Sequence, residues 1–216
     1  MTEHAPSGHA AAVKDHWWWR PGMRPGRRVY AWHITFQTGS PLHDHAADYQ
    51  QALAAVENLD LIPQEWLHLT IQGIGFTDEM GENEIADVID RTRQRFADWE
   101  PFDLEFGKPI IRPEAVAIHP TPGETVVELR HLLREAIANV RGESRVEGSA
   151  DGFQPHVSVA YVNADGPSAP IARAIDQADT APVACTVDHI SLIRLHRDNK
   201  MYEWETVESV DLRSGA

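Results

Sequence analysis

The chain contains two short segments, WLHLTI and PHVSV, in which a histidine is followed two residues later by a hydroxyl residue. Successive side chains of a β-strand point to opposite faces of its sheet. We therefore expect His68 and Thr70 to share one face of the first strand, and His156 and Ser158 to share one face of the second. The opposite face of each segment is apolar. This pattern predicts two strands that bury one face in a core and present an imidazole beside a hydroxyl on the other.

The pattern His-x-(Thr/Ser) occurs five times in the chain, whereas chance alone would give about one match. The three further matches begin at His33, His119 and His189. Pro120 and Pro122 make the His119 segment a turn, where side-chain alternation does not apply. His33 and His189 lie in strand-like segments, and spacing alone does not decide which pair forms a site. The first two segments alternate more cleanly, which favours them.

The chain of 216 residues is acidic, with a net charge of −14. A protein that follows a long DNA or RNA backbone needs a basic surface, so this charge argues against that class. It allows a nucleotide or an RNA end in a locally positive pocket. The single cysteine, Cys185, excludes an internal disulfide and a multi-cysteine metal site. No apolar run has the length of a membrane span and no signal peptide is recognisable, so we expect a cytoplasmic monomer without a membrane partner.

Hydrophobic periodicity predicts an alternation of strands and helices from residue 28 onward. Helices are expected at residues 44–59, 83–99, 124–140 and 171–178, and the final strands at 183–195 and 202–207. The order of elements resembles two similar halves, each with a few strands and with helices on one side. We therefore predict a single bilobal α+β domain over residues 28–210.

Residues 1–27 precede this domain and are predicted to form a flexible segment. Two interpretations are open for its three consecutive tryptophans, Trp17–Trp19: a strap buried against the domain, or a platform on which a base stacks. A nearby cluster holds the concentrated positive charge of the chain, which could meet a phosphate or form a solvated flank. It consists of Arg20, Arg24, Arg27 and Arg28.

The segments WLHLTIQGIG and FQPHVSVAY resemble the two signature motifs of the two-histidine (2H) phosphoesterase superfamily, which includes bacterial 2′-5′ RNA ligase-like proteins. The resemblance extends over residues 28–207. It implies a bilobal α+β fold of two antiparallel sheets, with helices on the outer faces and a central cleft. It also implies that His68 and His156 form the catalytic pair, and that Thr70 and Ser158 bind the phosphate.

The resemblance implies an enzyme that hydrolyses 2′,3′-cyclic phosphates of nucleotides or RNA ends to 2′-phosphates. It also implies that the reverse reaction could join RNA ends through a 2′-5′ linkage. One imidazole would act as general base and the other as general acid, without a metal or a cofactor. Tyr30, His33 and Tyr161 are further candidates for the pocket. Many members of the superfamily carry a basic residue soon after the second motif, where this chain has Ala160 and Tyr161. This departure leaves the substrate open.

Two alternatives remain at this stage. One is a non-catalytic protein that binds a nucleotide or an RNA end on the same fold. The other is a metal-dependent hydrolase, to which His43, Asp44 and His45 could contribute ligands. Their position in a loop before a predicted helix favours a helix-capping role instead.

Overall fold

The structure, a computed structural model, describes residues 8–178 and 180–213. The part of the predicted flexible segment that precedes residue 8 lies outside these residues. The strands are β1 (Ala12–Val13), β2 (Val29–Thr35), β3 (Leu59–Leu61), β4 (His68–Phe76), β5 (Phe102–Phe106), β6 (Ile110–Ile111), β7 (Ala115–Ile118), β8 (Pro120–Thr121), β9 (Val157–Val162), β10 (Gly166–Pro167), β11 (Val183–Val187), β12 (His189–His196) and β13 (Glu203–Asp211). The helices are α1 (Pro41–Leu53), α2 (Glu82–Phe96), α3 (Gly123–Arg141) and α4 (Ala169–Gln177).

The main sheet has eight antiparallel strands in the order β13-β12-β2-β4-β9-β7-β6, with β3 paired to β9. It consists of two four-stranded halves, one built on β2 and β4 and the other on β9 and β7. The halves join at one residue pair, Leu69 of β4 and Val157 of β9. A three-stranded sheet, β11-β5-β8, and the two-stranded ribbon β1-β10 complete the fold. The predicted α+β class, with antiparallel halves and helices outside them, is confirmed.

The helices cover the two halves from outside. α2 and α3 pack against each other and against β13 and β4, whereas α1 and α4 pack against each other and α1 also contacts β9 and β11. α1 begins at Pro41, three residues before the predicted start at Asp44, because proline is well suited to the first turn of a helix. Gly142 ends α3 with a φ of 84°, a conformation that favours glycine. Among the described helices, none has the length and hydrophobicity that a bilayer requires.

Three chain segments depart from the sequence prediction. Helix α1 ends at Leu53, whereas the sequence predicts that it continues to residue 59, where β3 begins. Residues 8–27, which we call the N-terminal segment, are packed on the domain instead of standing free of it: β1 pairs with β10, and the Val13 side chain is 1 % exposed. Backbone hydrogen bonds and apolar burial therefore extend the domain beyond the predicted boundary at residue 28. The predicted strand 183–195 is divided at Asp188, because β11 pairs with β5 whereas β12 pairs with β2 and β13.

Candidate active site

The four predicted side chains meet at the pair of residues that joins the two halves of the sheet. That pair follows the two histidines directly in the sequence. In an antiparallel register, one step back on β4 lies opposite one step forward on β9. His68 therefore lies across from Ser158, and Thr70 lies across from His156. All four side chains lie on the face opposite the apolar core and form a compact square of two imidazoles and two hydroxyls.

This square lines a cavity of about 890 Å³, which we call the main cavity. His68, Thr70, His156 and Ser158 contribute to its wall together with Tyr161, which was predicted as a further pocket residue. The Tyr161 side chain is buried, and burial raises the pKa of its phenol well above the usual value. The phenol is therefore neutral at physiological pH.

Both histidines are oriented in the same way by the backbone. Nδ1 of His68 lies 2.8 Å from the carbonyl oxygen of Trp66, and Nδ1 of His156 lies 2.8 Å from that of Gln154. A carbonyl can only accept, so Nδ1 of each ring carries the proton and donates. In the neutral form, Nε2 of each ring is consequently the basic nitrogen and remains available for a ligand in the cavity.

Burial decides the charge of the two histidines in the free protein. It lowers the pKa of His68 to about 4, against an opposing hydrogen bond to Trp66. Burial also lowers the pKa of His156 to about 4, and the positive charge of Arg112 adds to the effect. Both imidazoles are therefore neutral at pH 7. A bound phosphate, being negative, would raise the pKa of the ring next to it and favour its protonated form.

His33 and Tyr30 do not line the main cavity. His33 is fully buried behind the site, with Nε2 3.0 Å from Oγ1 of Thr70 and its ring stacked on that of His68 at 4.4 Å between centroids. Burial lowers the pKa of His33 well below its usual value, so that the ring is neutral. Tyr30 lies outside the lining because its neighbours on β2, Val29 and Ala31, face the cavity. The prediction for Tyr30 as a pocket residue is not met, since alternation turns its side chain to the other face.

Three arginines line the main cavity: Arg20, Arg112 and Arg197. Arg20 is paired with Glu114 at 2.8 Å. Within the described residues, Arg112 and Arg197 have no carboxylate oxygen within 4.0 Å. Two carboxylates, Glu114 and Glu147, also line the cavity. Three guanidinium groups against two carboxylates leave the lining with a net positive charge although the chain is acidic, which suits a phosphate ligand.

Sequence reasoning identified Arg20 but missed Arg112 and Arg197. Neither belongs to a charge cluster in the sequence, and each lies in a turn that only the pairing of distant strands brings to the cavity. The other arginines of the predicted cluster lie outside the lining and pair with carboxylates: Arg24 and Arg27 with Asp78, and Arg28 with Asp198.

The candidate metal ligands His43 and His45 lie in α1 and do not converge. Nδ1 of His43 accepts a hydrogen bond of 3.1 Å from the Gly39 amide, and Nε2 of His45 lies 2.9 Å from the Gly107 carbonyl oxygen. Each ring is thus engaged with a different backbone group. Over residues 8–178 and 180–213, no group of three or more His, Cys, Asp or Glu side chains could hold a metal ion.

A family model and similar solved structures together place this bilobal antiparallel fold among the two-histidine phosphoesterases. The family model of the 2′-5′ RNA ligase superfamily matches residues 39–199, and the chain belongs to this superfamily. A search of curated proteins found no match.

Solved structures resemble the whole domain. TT0787 of Thermus thermophilus superposes with a TM-score of 0.67 at 18 % identity, covering 87 % of this chain and 100 % of that one. Escherichia coli LigT in its apo form gives a TM-score of 0.63 at 12 % identity, with 87 % and 99 % covered. LigT complexed with 3′-AMP gives 0.60 at 13 % identity, with the same coverage. At these sequence identities, the similarity shows that this chain and those proteins share a fold, and nothing beyond the fold.

Proposed function

We propose that this protein is a metal-independent phosphodiesterase that opens 2′,3′-cyclic phosphates of nucleotides or RNA ends to 2′-phosphates. The observation that carries the proposal is the square of two imidazoles and two hydroxyls in the main cavity, with Nε2 of both rings available to a ligand. Superfamily membership supports phosphoesterase or RNA ligase-type activity. LigT, which has a similar fold, was solved in complex with 3′-AMP, which supports a nucleotide as ligand.

In the proposed reaction, Nε2 of one histidine removes a proton from water while the water oxygen bonds to phosphorus. The bond from phosphorus to the 3′ oxygen breaks, and the second histidine donates its proton to that oxygen. By the family resemblance, His156 activates the water and His68 protonates the leaving oxygen. Thr70 and Ser158 donate hydrogen bonds to the non-bridging oxygens as negative charge builds up on them. Run in reverse with a 5′-hydroxyl end, the same steps form a 2′-5′ linkage.

The mechanism needs one protonated and one neutral histidine, and the negative charge of the substrate helps to produce this pair. Both catalytic histidines are neutral in the free protein, so the general acid must gain its proton when the anionic phosphate binds. Burial, to which the positive charge of Arg112 adds, lowers the pKa of His156 and keeps that ring in the neutral form that a general base requires.

The test is hydrolysis of a 2′,3′-cyclic nucleotide and of a short RNA with a cyclic end, measured in parallel with and without a chelator. We expect turnover to a 2′-phosphate by the wild-type protein, and a loss of at least a hundredfold in His68→Ala and in His156→Ala. His131→Ala serves as the control, because His131 is exposed on α3 outside the main cavity. Thermal melting of each variant separates loss of chemistry from loss of folding.

Absence of turnover by the wild-type protein on both substrates would contradict the proposal. If the same protein still bound an RNA end, the result would establish the alternative of a non-catalytic binding protein. Turnover that disappears with the chelator would instead support a metal-dependent hydrolase.

A further inference from the structure

The N-terminal segment carries an exposed indole that is nevertheless held in place. Trp18 is 48 % exposed. Its Nε1 donates a hydrogen bond of 2.9 Å to Glu114, and the guanidinium of Arg20 lies 4.9 Å from its ring centroid. Because the edge of the ring is bonded and one face is covered by a cation, the ring is pre-organised although nearly half of its surface is open to solvent.

The neighbours of this indole line the main cavity. Its two ring partners, Arg20 and Glu114, belong to the cavity wall, whereas Trp18 itself does not line the cavity, which places the indole at the rim of the cavity mouth. The segment is anchored there by Arg197, which donates to the carbonyl oxygen of His16 at 2.9 Å. The position of Trp18 relative to the catalytic histidines is therefore fixed by the domain.

The chemistry at this mouth fits one class of ligand. Arg197 is 4 % exposed, its Nε has no hydrogen-bond partner among the described residues, and its guanidinium faces no carboxylate there. Its Nη atoms donate to the carbonyl oxygens of Trp18 and His16, and the guanidinium lies 5.2 Å and 5.0 Å from the ring centroids of Trp17 and Tyr202. A buried guanidinium that lines a cavity without a carboxylate partner suits a phosphate group. An open aromatic face beside such cations is the arrangement on which bases of single-stranded nucleic acid stack.

We infer that Trp18 and Arg20 form a second subsite, at the mouth of the main cavity, on which a nucleobase adjacent to the cyclic nucleotide stacks. The inference rests on the proposed function and makes its substrate an RNA end of at least two nucleotides, with the phosphate between them near Arg197. The subsite is a feature of this chain outside the part that the family model covers, residues 39–199.

The experiment compares two substrates with the same terminal nucleoside: a 2′,3′-cyclic mononucleotide, and a dinucleotide that ends in the same cyclic phosphate. The quantity measured is the ratio of kcat/KM for the dinucleotide to that for the mononucleotide. We expect this ratio to exceed one in the wild-type protein and to fall roughly tenfold in Trp18→Ala. Trp18→Phe, which keeps an aromatic face, should retain most of the preference.

Trp19→Ala is the matched control. Trp19 is 50 % exposed and makes no hydrogen bond, aromatic contact or cation–π contact within the described residues, so its removal should leave the ratio unchanged. A wild-type ratio of one, or equal ratios in Trp18→Ala and the wild type, would overturn the inference. A drop in the ratio in Trp19→Ala as large as in Trp18→Ala would also overturn it, because the preference would then not depend on the Trp18 ring in particular. No turnover of either substrate would instead be a failure of the proposed function itself.

Discussion

His33 does not reach the main cavity, yet it controls what the hydroxyl of Thr70 can do. Their contact of 3.0 Å allows either group to donate. Nδ1 of His33 is buried without a partner among the described residues. An unpaired buried N–H is rarer in native proteins than an unpaired acceptor, so the proton of the neutral ring belongs on Nε2. His33 then donates to Thr70, and the hydroxyl proton of Thr70 is free to bind a phosphate oxygen.

Replacement of His33 should therefore lower kcat more than it changes KM. We expect His33→Leu to lower kcat about tenfold, because Thr70 loses the donor that orients its hydroxyl. His33→Gln, whose side-chain amide can donate to the same oxygen, should retain more of the activity. Steady-state kinetics with melting temperatures as a folding check would decide, and equal activities in the two variants would refute the role of the donated hydrogen bond.

At the scale of elements, the N-terminal segment depends on two glycines with the same backbone conformation. Gly22 and Gly26 both have a φ of 79°, which side-chain-bearing residues adopt only at a cost. A Cβ on Gly22 would lie 2.7 Å from the ring of Phe76, whereas a Cβ on Gly26 would meet nothing within 4 Å. Phe76 lines the main cavity, and the guanidinium of Arg27 lies 3.5 Å from its ring centroid. This contact restricts movement of the Phe76 ring away from an added Cβ.

The two alanine variants separate conformation from contact. Both should lose stability through the left-handed backbone, by about 1 kcal/mol. Gly22→Ala should lose roughly 1–3 kcal/mol more, because the added methyl group overlaps the Phe76 ring. Urea denaturation would measure the difference in the free energy of unfolding. Equal losses in Gly22→Ala and Gly26→Ala would mean that the segment does not press on the wall of the cavity.

At the scale of the whole molecule, six of the histidines that the structure describes have lowered pKa values and link stability to pH, among them His43 and His119. Burial is the main cause in each: it lowers the pKa of His16 to about 3, that of His68 to about 4, that of His156 to about 4 and that of His33 further. The unfolded chain, with histidine pKa values near 6.5, binds these protons first. Their contribution to stability is therefore complete above pH 6.5 and is lost as the pH falls through about 4.

We expect the free energy of unfolding to change little between pH 7.5 and pH 6.5 and to decrease from there to pH 4. His33→Gln, which removes one of these groups, should show a shallower decrease. His131→Gln, at an exposed position on α3, should follow the wild type. Denaturant titrations at several pH values provide the measurement, and a flat profile over this range would show that folding does not lower the pKa values of the buried histidines.

Local patterns predicted the strands and helices better than their arrangement. Alternation identified β4 and β9 with their histidines and hydroxyls, and helical periodicity located α2 and α3, because these signals depend on neighbours in the sequence. Contacts between distant residues determine three other features. These are the pairing of β4 with β9, the switch between sheets at Asp188, and the position of Arg112 and Arg197 in the wall of one cavity. No local signal encodes such contacts. The candidate site was therefore predictable in its four central residues and not in its charge.

The order of strands in the main sheet also bears on how the protein is made. β2 lies between β4 and β12, so one of its neighbours is among the first strands synthesised and the other among the last. Both histidine strands leave the ribosome while β2 still has an open edge, and an open edge is a template for pairing with another chain. A nascent chain of this protein thus carries the complete square of two imidazoles and two hydroxyls before it can close the sheet that supports them.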